Sequence, residues 1–303
     1  MKLSSAIYQK FLSLYNVLPF QSSWAHLLRA SPINLDRFYK DLHFRGTFSV
    51  KTNNSSFKLR HLGTTIENEL FWQGLGNSME DDTVWFWEET CRTSKVILDV
   101  GANTGVYALI AKAENRAGKV IAFEPSIKVY PALADNVKLN GFDVSCEKMA
   151  ISSSNETQVF YDCDALEFPT SGSLDSKKLK ELRKGRTDIT EYEVTCRTMD
   201  SYIEEKGLES LDLLKIDVEL HEPAVFEGFK SLQDFRPTII VEVLNQDVAD
   251  NISAVSDLTG YDIYKLIAPY RVQKMDSIIA DLEFRNVLLL PQEKGLPEKT
   301  VVN

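Results

Sequence analysis

The segment Asp99-Val-Gly101-Ala102-Asn103-Thr104-Gly105 places two glycines and a carboxylate in one short turn. It follows the β-branched run Lys95 to Val100 and precedes Val106 to Ala113, which has helical spacing. The turn therefore joins the carboxyl end of a strand to the start of a helix. Glycine there lets the backbone approach a ligand closely, and the helix start offers free N–H groups. A dinucleotide fold would show G-x-G-x-x-G to seat a pyrophosphate. Here the spacing is G-x-x-x-G, and Asp99 stands two residues before the first glycine, where a carboxylate suits an ammonium. Glu124 ends the next buried strand, Gly118 to Glu124, 19 residues after Gly105, where an acid can accept both hydroxyls of a ribose. Any tight turn needs glycine, and a strand-end acid alone is often a surface carboxylate. Together they point to S-adenosylmethionine. Asp99, Gly101, Ala102, Asn103, Thr104, Gly105, Glu124 and Pro125 are the expected contacts. Ser126 or Ile127 would lie beside the adenine, with Ala150 and Ile151 as its other wall.

A second constellation follows in Leu211 to Glu222. Lys215, Asp217 and Glu219 alternate along a strand and so share one face, and His221 comes next. Methyl transfer from a sulfonium is an in-line displacement that already carries its driving force. A protein supplies alignment, up to ~7–11 kcal/mol in well-oriented systems. It also removes the acceptor's proton, which helps a hydroxyl by roughly 10²–10⁴-fold. Asp217, Glu219 and His221 are the candidate bases. Asp217 is also expected to touch cofactor or substrate; the plainer alternative is an ion pair with Lys215, which needs a partner in a buried strand. His221 equally suits a helix start before Pro223. Asp217, Glu219 and Glu242 could instead hold a divalent metal that lowers the hydroxyl's pKa. The metal is the less favoured reading, and no residue is assigned to one.

These groups need a scaffold. Strands at Lys95–Val100, Gly118–Glu124, Val144–Ile151, Tyr192–Arg197, Leu211–Val218 and Thr238–Leu244 alternate with helices at Val106–Ala113, Ile127–Asn140, Met199–Lys206 and Pro223–Leu232. Such alternation means right-handed crossovers and a parallel sheet with helices on both faces. Tyr261–Ile267 and Phe284–Leu290 would close the sheet as an antiparallel edge. Residues 161–193 interrupt the rhythm with an insertion rich in Ser, Asp, Lys and Gly. Its Ser171-Gly172-Ser173 is a candidate lid, against the plainer reading of a flexible loop. Upstream, Gly46 to Gly63 alternates as a β-hairpin. A helix near Met79–Cys91 carries Val84, Trp85, Phe86 and Trp87, expected in the core. The apolar stripe Leu3, Ile7, Phe11, Leu12 and Tyr15 would pack on its own domain in preference to a membrane surface, and could also pair copies of the chain. The division is an extension over 1–80 and a catalytic domain over 81–303.

The 303 residues are 44% apolar and 26% charged, ordinary for a globular protein, with a formal net charge of −10. That charge disfavours a nucleic-acid partner. The basic group Lys177, Lys178, Lys180, Arg183, Lys184 and Arg186 reads first as a solvated helix face. Cys91, Cys146, Cys163 and Cys196 lie far apart, without C-x-x-C or nearby His, so neither zinc nor a disulfide framework is expected. With no apolar run of the ~20 residues a membrane span needs and no signal-peptide pattern, the expected place is the cytoplasm.

Asp99-Val-Gly-Ala-Asn-Thr-Gly105, Phe123-Glu-Pro125, Thr198-Met-Asp200 and Leu214-Lys-Ile-Asp-Val-Glu219 resemble the successive motifs of the FkbM family of methyltransferases. Ile239-Ile-Val-Glu242 and Asn286-Val-Leu-Leu-Leu-Pro291 fit its later strands, so the likeness spans roughly residues 80 to 291. It implies an α/β, Rossmann-like class I fold with a seven-stranded, mostly parallel sheet and helices on both faces. It also implies O-methylation of sugars, polyketides or other small molecules. One departure stands out: the family's glycine after Val-Glu is Leu220 here, which would narrow or re-angle the site. Two rival functions are set aside. Base or rRNA methylation would want an Asn/Asp-Pro-Pro-aromatic element where Asp217-Val-Glu-Leu stands. A non-catalytic binding module is favoured by Leu220 alone.

Overall fold

The computed structural model describes residues 10, 12–15, 17–31, 39–76, 81–163, 172–174, 189–281 and 283–303. Leu3, Ile7, Phe11, the basic group at 177–186, and Ser171 lie outside them. Near the described start, α1 (Gln21–Ala30) buries Ala25 but leaves Trp24 and Leu27 exposed. Just before it Tyr15 is buried, while Leu14 and Val17 face outward. The expected hairpin is present as β1 (Gly46–Lys51) and β2 (Ser56–His61), antiparallel, with Phe48, Val50, Phe57 and Leu59 turned inward. Then comes α2 (Thr65–Gln73), which no apolar stripe announces because its buried residues include Glu67, Asn68 and Glu69. The helix expected near Met79 is α3 (Asp81–Cys91), and Val84, Trp85, Phe86 and Trp87 are all buried.

The alternating part follows as β3 (Val96–Val100), α4 (Val106–Glu114), β4 (Lys119–Phe123), α5 (Tyr130–Asn140) and β5 (Val144–Glu147). A small side sheet is built from β6 (Ala150–Ile151), β7 (Thr157–Cys163) and β8 (Ile189–Arg197). The rhythm resumes with α6 (Met199–Lys206), β9 (Leu213–Ile216), α7 (Glu222–Glu227), α8 (Leu232–Phe235), β10 (Thr238–Glu242) and α9 (Gln246–Val255). The close is β11 (Tyr261–Ala268), β12 (Arg271–Met275), β13 (Asn286–Pro291) and β14 (Val301–Val302). No described helix is long and apolar enough to cross a membrane.

The main sheet runs β14-β12-β11-β13-β10-β9-β3-β4-β5. From β5 to β10 the neighbours are parallel, and β13 and β11 are antiparallel, as the closing pair required. Three expectations are corrected. The sheet has nine strands, not seven, because the chain turns back after β11 and β12 and β14 add to that edge. The single strand over Val144–Ile151 is two, since Ala150 and Ile151 leave β5's line to pair with Cys196 and Arg197 of β8. The helix over Pro223–Leu232 is broken into α7 and α8 around Gly228. The ends of the insertion, Tyr161–Cys163 and Ile189–Glu193, are ladder partners in β7 and β8 and not loop.

Strand alternation sorts the core into two layers. Ile97, Val120, Ala122, Leu213, Ile240 and Leu288 pack with α3, α4 and the hairpin. Leu98, Val100, Ile121, Leu214, Ile216 and Val241 pack with α6 and α7. The likeness block Thr198-Met-Asp200 is a fastening: Thr198 Oγ1 accepts the Ser201 N–H as the cap of α6, and Asp200 accepts the N–H groups of Lys230 and Ser231. The hairpin is tied to α5 through polar side chains. Buried Asn136 accepts the Arg60 N–H at 3.0 Å and donates to the Thr104 carbonyl at 2.9 Å, joining β2, α5 and the glycine turn.

Asn136→Ala strands a backbone donor and a backbone acceptor, each worth about 1–3 kcal/mol when left unpaired and buried. A stability loss of about 2–3 kcal/mol is expected in urea unfolding; a change under about 0.5 kcal/mol would show that the hairpin does not lean on this residue.

Candidate active site

A cavity of about 580 Å³ opens at the carboxyl ends of β3, β4, β9 and β10, within the roughly 300–1,000 Å³ of small-ligand sites. Of the residues singled out from sequence, Asp99, Gly101, Ala102, Asn103, Thr104, Glu124, Pro125, Ser126, Ala150, Asp217, Glu219 and His221 all line it. Gly105 does not. It is the left-handed cap of α4 (φ 93°), its Cα facing Leu133. Ile127 is half-exposed and also outside the lining.

The turn is shaped by tight backbone contact. Gly101 and Ala102 donate their N–H groups to the Phe123 carbonyl at 3.0 and 2.9 Å, while Asp217 donates its own to Val100 at 2.9 Å. Gly101 has φ 86°, and a Cβ there would stand 1.8 Å from the Asp217 carbonyl oxygen. Asp99 is buried and accepts the Ala108 N–H at 3.0 Å, capping the first turn of α4. Its carboxylate thus serves the helix as well as the cavity.

Glu124 is held from both sides. Its Oε2 accepts the Asn103 N–H at 2.9 Å and its Oε1 the Ser126 N–H at 2.8 Å. Burial pushes its carboxyl up to about 7, against the pull of those two donors. Ser126 Oγ donates to buried Asp162 at 2.9 Å, and the Tyr192 hydroxyl bonds the same carboxylate. Ala150, Ile151 and Phe160 supply the apolar wall nearby. Of the candidate lid, Ser173 is pinned: it exchanges two backbone bonds with Tyr161, and its Oγ donates to the Glu219 carbonyl at 2.9 Å.

On the other side, Lys215 Nζ meets Asp217 Oδ2 at 2.6 Å, and the ammonium also lies 4.4 Å from the centre of the Tyr107 ring. Lys215 is 2% exposed and Asp217 26%. A buried ammonium needs such a partner, so the ion pair and the cavity position of Asp217 coexist. His221 occupies the N-cap position of α7 but caps nothing with its ring; Nε2 bonds Ser152 Oγ at 2.9 Å. Glu219 and Leu220 have φ 52° and 72°, two successive left-handed residues without a glycine. Holding that turn is Glu222, which the sequence reading passed over. Its Oε1 accepts the N–H groups of Val218 and Leu220 at 3.1 and 3.2 Å, and burial pushes its carboxyl up to about 8. Its sequence signal is slight, an acidic residue directly before Pro223 at a helix start. Among the described residues no group of three His, Cys, Asp or Glu side chains could hold a metal ion.

The donor set fits an adenosyl amino acid. A carboxylate with both oxygens organised by backbone donors stands beside an apolar slot, and a glycine turn ends at a helix start. Residues 99–285, more than half of the chain, match the family described as Methyltransferase FkbM domain, and the chain belongs to that family. It is therefore a methyltransferase. Similar proteins include methyltransferase sdnD of Sordaria araneosa, 26% identical over 61% of this chain and 80% of that one. Another is the 2-O-methyltransferase NoeI of Sinorhizobium fredii, 30% identical over 54% of this chain and 70% of that one. Among solved structures, the FkbM methyltransferase of Methylobacillus flagellatus aligns with a TM-score of 0.40 at 12% identity, over 65% of this chain and 43% of that one.

Leu220 holds the second left-handed position, where the sequence likeness leads one to expect glycine. The left-handed backbone costs a leucine ~1–2 kcal/mol, but the side chain is 3% exposed in the core, and deleting such a side chain costs about 2–5 kcal/mol. Burial wins. Leu220→Gly is expected to lower stability by about 1–3 kcal/mol in thermal or urea unfolding; a variant more stable than wild type would mean that strain dominates this turn.

Proposed function

We propose that this enzyme carries a methyl group from S-adenosylmethionine to a hydroxyl oxygen of a sugar, glycan or other small-molecule acceptor. The observation that carries the reading is Glu124, organised by two backbone N–H groups at one side of a cavity that continues to Asp217, Glu219 and His221. Glu124 would accept the ribose hydroxyls, Ser126 and Ala150 would flank the adenine, and the turn from Gly101 to Thr104 would hold the amino-acid part with Asp99. Gly105 acts through the helix it caps. When bound, the cofactor supplies an activated methyl on a positively charged sulfur. The chain's own part is to align the acceptor and remove its proton. The 2-O-methyltransferase activity in NoeI's name supports a hydroxyl acceptor.

In this reading β5-β4-β3-β9-β10-β13-β11 is the seven-stranded core of a Rossmann-like class I fold, and β12 and β14 are additions. Residues 81–303 are the catalytic domain, and the extension over 1–80 walls the cavity through Thr65, Glu69 and Leu70. The free thiols Cys91, Cys146 and Cys196 fit work in the cytoplasm.

Two charge-assisted hydrogen bonds at ~1.5–3 kcal/mol each mean that Glu124→Ala should weaken S-adenosylmethionine binding at least tenfold in calorimetry; unchanged affinity refutes the ribose assignment. Ribose hydroxyls donate to the ionised carboxylate, and burial pushes the unliganded group up to about 7. Binding should therefore tighten as pH rises from 6 to 8, with proton release, and Glu124→Gln should flatten that dependence. A wild-type affinity independent of pH across this window would place the titrating group elsewhere.

A further inference from the structure

Three strands end in a row across the mouth of the cavity. Val241 of β10 lies beside Ile216 of β9, so Glu242 follows next to Asp217, and Glu242 stands opposite Asn286 at the start of β13. All three line the cavity, and partners at one register position share a face of the sheet. Asp217 is engaged by Lys215 at 2.6 Å and His221 by Ser152 at 2.9 Å. Asn286 is only 7% exposed, and its Oδ1 has no hydrogen-bond partner among the described residues. A buried acceptor left open at a cavity wall is costly unless something fills it, about 1–3 kcal/mol. That vacancy asks for a donor from a ligand.

We propose that Glu242 is the base that takes the proton from the acceptor hydroxyl, and that Asn286 binds a hydroxyl on the adjacent carbon, so that the acceptor is a neutral vicinal diol. This rests on the O-methyltransferase reading above and names the proton acceptor and substrate class within it. Side chains directly opposed on antiparallel strands have Cβ atoms ~4.5–5.5 Å apart, a spacing from which two side chains reach oxygens on neighbouring carbons. The acceptor's O–H bond breaks and its proton passes to a Glu242 carboxylate oxygen. The freed oxygen pair forms the new O–CH3 bond, and the electron pair of the broken S–CH3 bond stays on sulfur. Lys215 on β9, Asp217 just after it, Glu219 and Glu222 on the following turn and helix, and Glu283 and Arg285 beside β13 are the charged groups around Glu242. Burial and the negative charges of Asp217 and Glu219 hold the Glu242 carboxyl well above the usual carboxylate range, while Lys215 opposes them. Once ionised, such a group is a stronger base than an ordinary carboxylate.

The test uses the full chain, S-adenosylmethionine with a labelled methyl group, and methyl glycosides of neutral hexoses and 6-deoxyhexoses as acceptors, each beside a deoxy analogue lacking one neighbouring hydroxyl. Glu242→Gln should leave S-adenosylhomocysteine affinity within about twofold by calorimetry, yet lower kcat by roughly 100-fold or more with little change in KM. The wild-type rate should rise with pH through a limb that this variant loses. Asn286→Ala should raise KM about tenfold for the diol and hardly at all for its deoxy analogue. A Glu242→Gln enzyme with near-wild-type kcat, or one that has lost S-adenosylhomocysteine binding, overturns the proposal and leaves the methyltransferase reading standing. A wild-type chain that binds S-adenosylmethionine but methylates none of these hydroxyls overturns the vicinal-diol acceptor, and Glu242's role toward it, and leaves the methyltransferase reading standing.

Discussion

The contact between Gly101 and the Asp217 carbonyl sets the geometry of everything around it. The two backbones come so close that even one methyl group on Gly101 would stand 1.8 Å from that oxygen. With this contact made, the turn after β3 can bond the Phe123 carbonyl on one side while β9 bonds Val100 on the other. Three adjacent strand ends are thereby locked at one height, and the start of α4 is aimed across them. Asn103 then presents its N–H to Glu124, although its own φ of 51° is left-handed. A side chain at position 101 would lift the turn and separate the two carboxylate-bearing edges that the cavity needs.

The carboxyls in and beside the cavity do different work, and the difference is in their partners. Glu124 is held by two backbone donors and faces the cavity. Glu222 is fully buried and spends one oxygen on two N–H groups, holding the left-handed pair Glu219–Leu220 in place. That pair stores strain of order 1–3 kcal/mol per residue, offset by the burial of Leu220. Asp217 is neutralised by Lys215, whose ammonium rests against Tyr107 of α4. Each arrangement fixes one acidic group beside another that would otherwise repel it, so the cavity wall keeps its shape with several negative charges facing each other.

The N-terminal hairpin and α2 share this architecture. Phe48, Val50, Phe57 and Leu59 belong to the same apolar layer as Ile97, Leu213 and Ile240 of the sheet, and Asn136 bonds both β2 and the glycine turn. The hairpin and the turn are thus joined through α5. The helix α2 closes one wall of the cavity with Thr65, Glu69 and Leu70.

Much of this was legible in the sequence. The alternation of β-branched runs with helical spacing gave the parallel order, because a crossover between parallel strands needs a helix's length of chain. The glycine turn and Glu124 could be placed at strand ends by counting, since strand, turn and helix are local. Leu220 declared itself as a departure, and the structure supplies its reason, a left-handed backbone filled by a buried side chain. Other features depend on where distant segments meet. The two extra edge strands arise from ladders between residues near 271 and 301. The break after Glu147 comes from pairing with β8, about 45 residues on. Lys215 could reach Asp217 from sequence alone, but the partner of His221, the open oxygen of Asn286 opposite Glu242 and the buried anchor Glu222 were settled only by tertiary packing. Hydrogen bonds between residues tens of positions apart leave no periodic trace, whereas burial of a strand or helix face repeats every two or three to four residues and so writes itself into the chain.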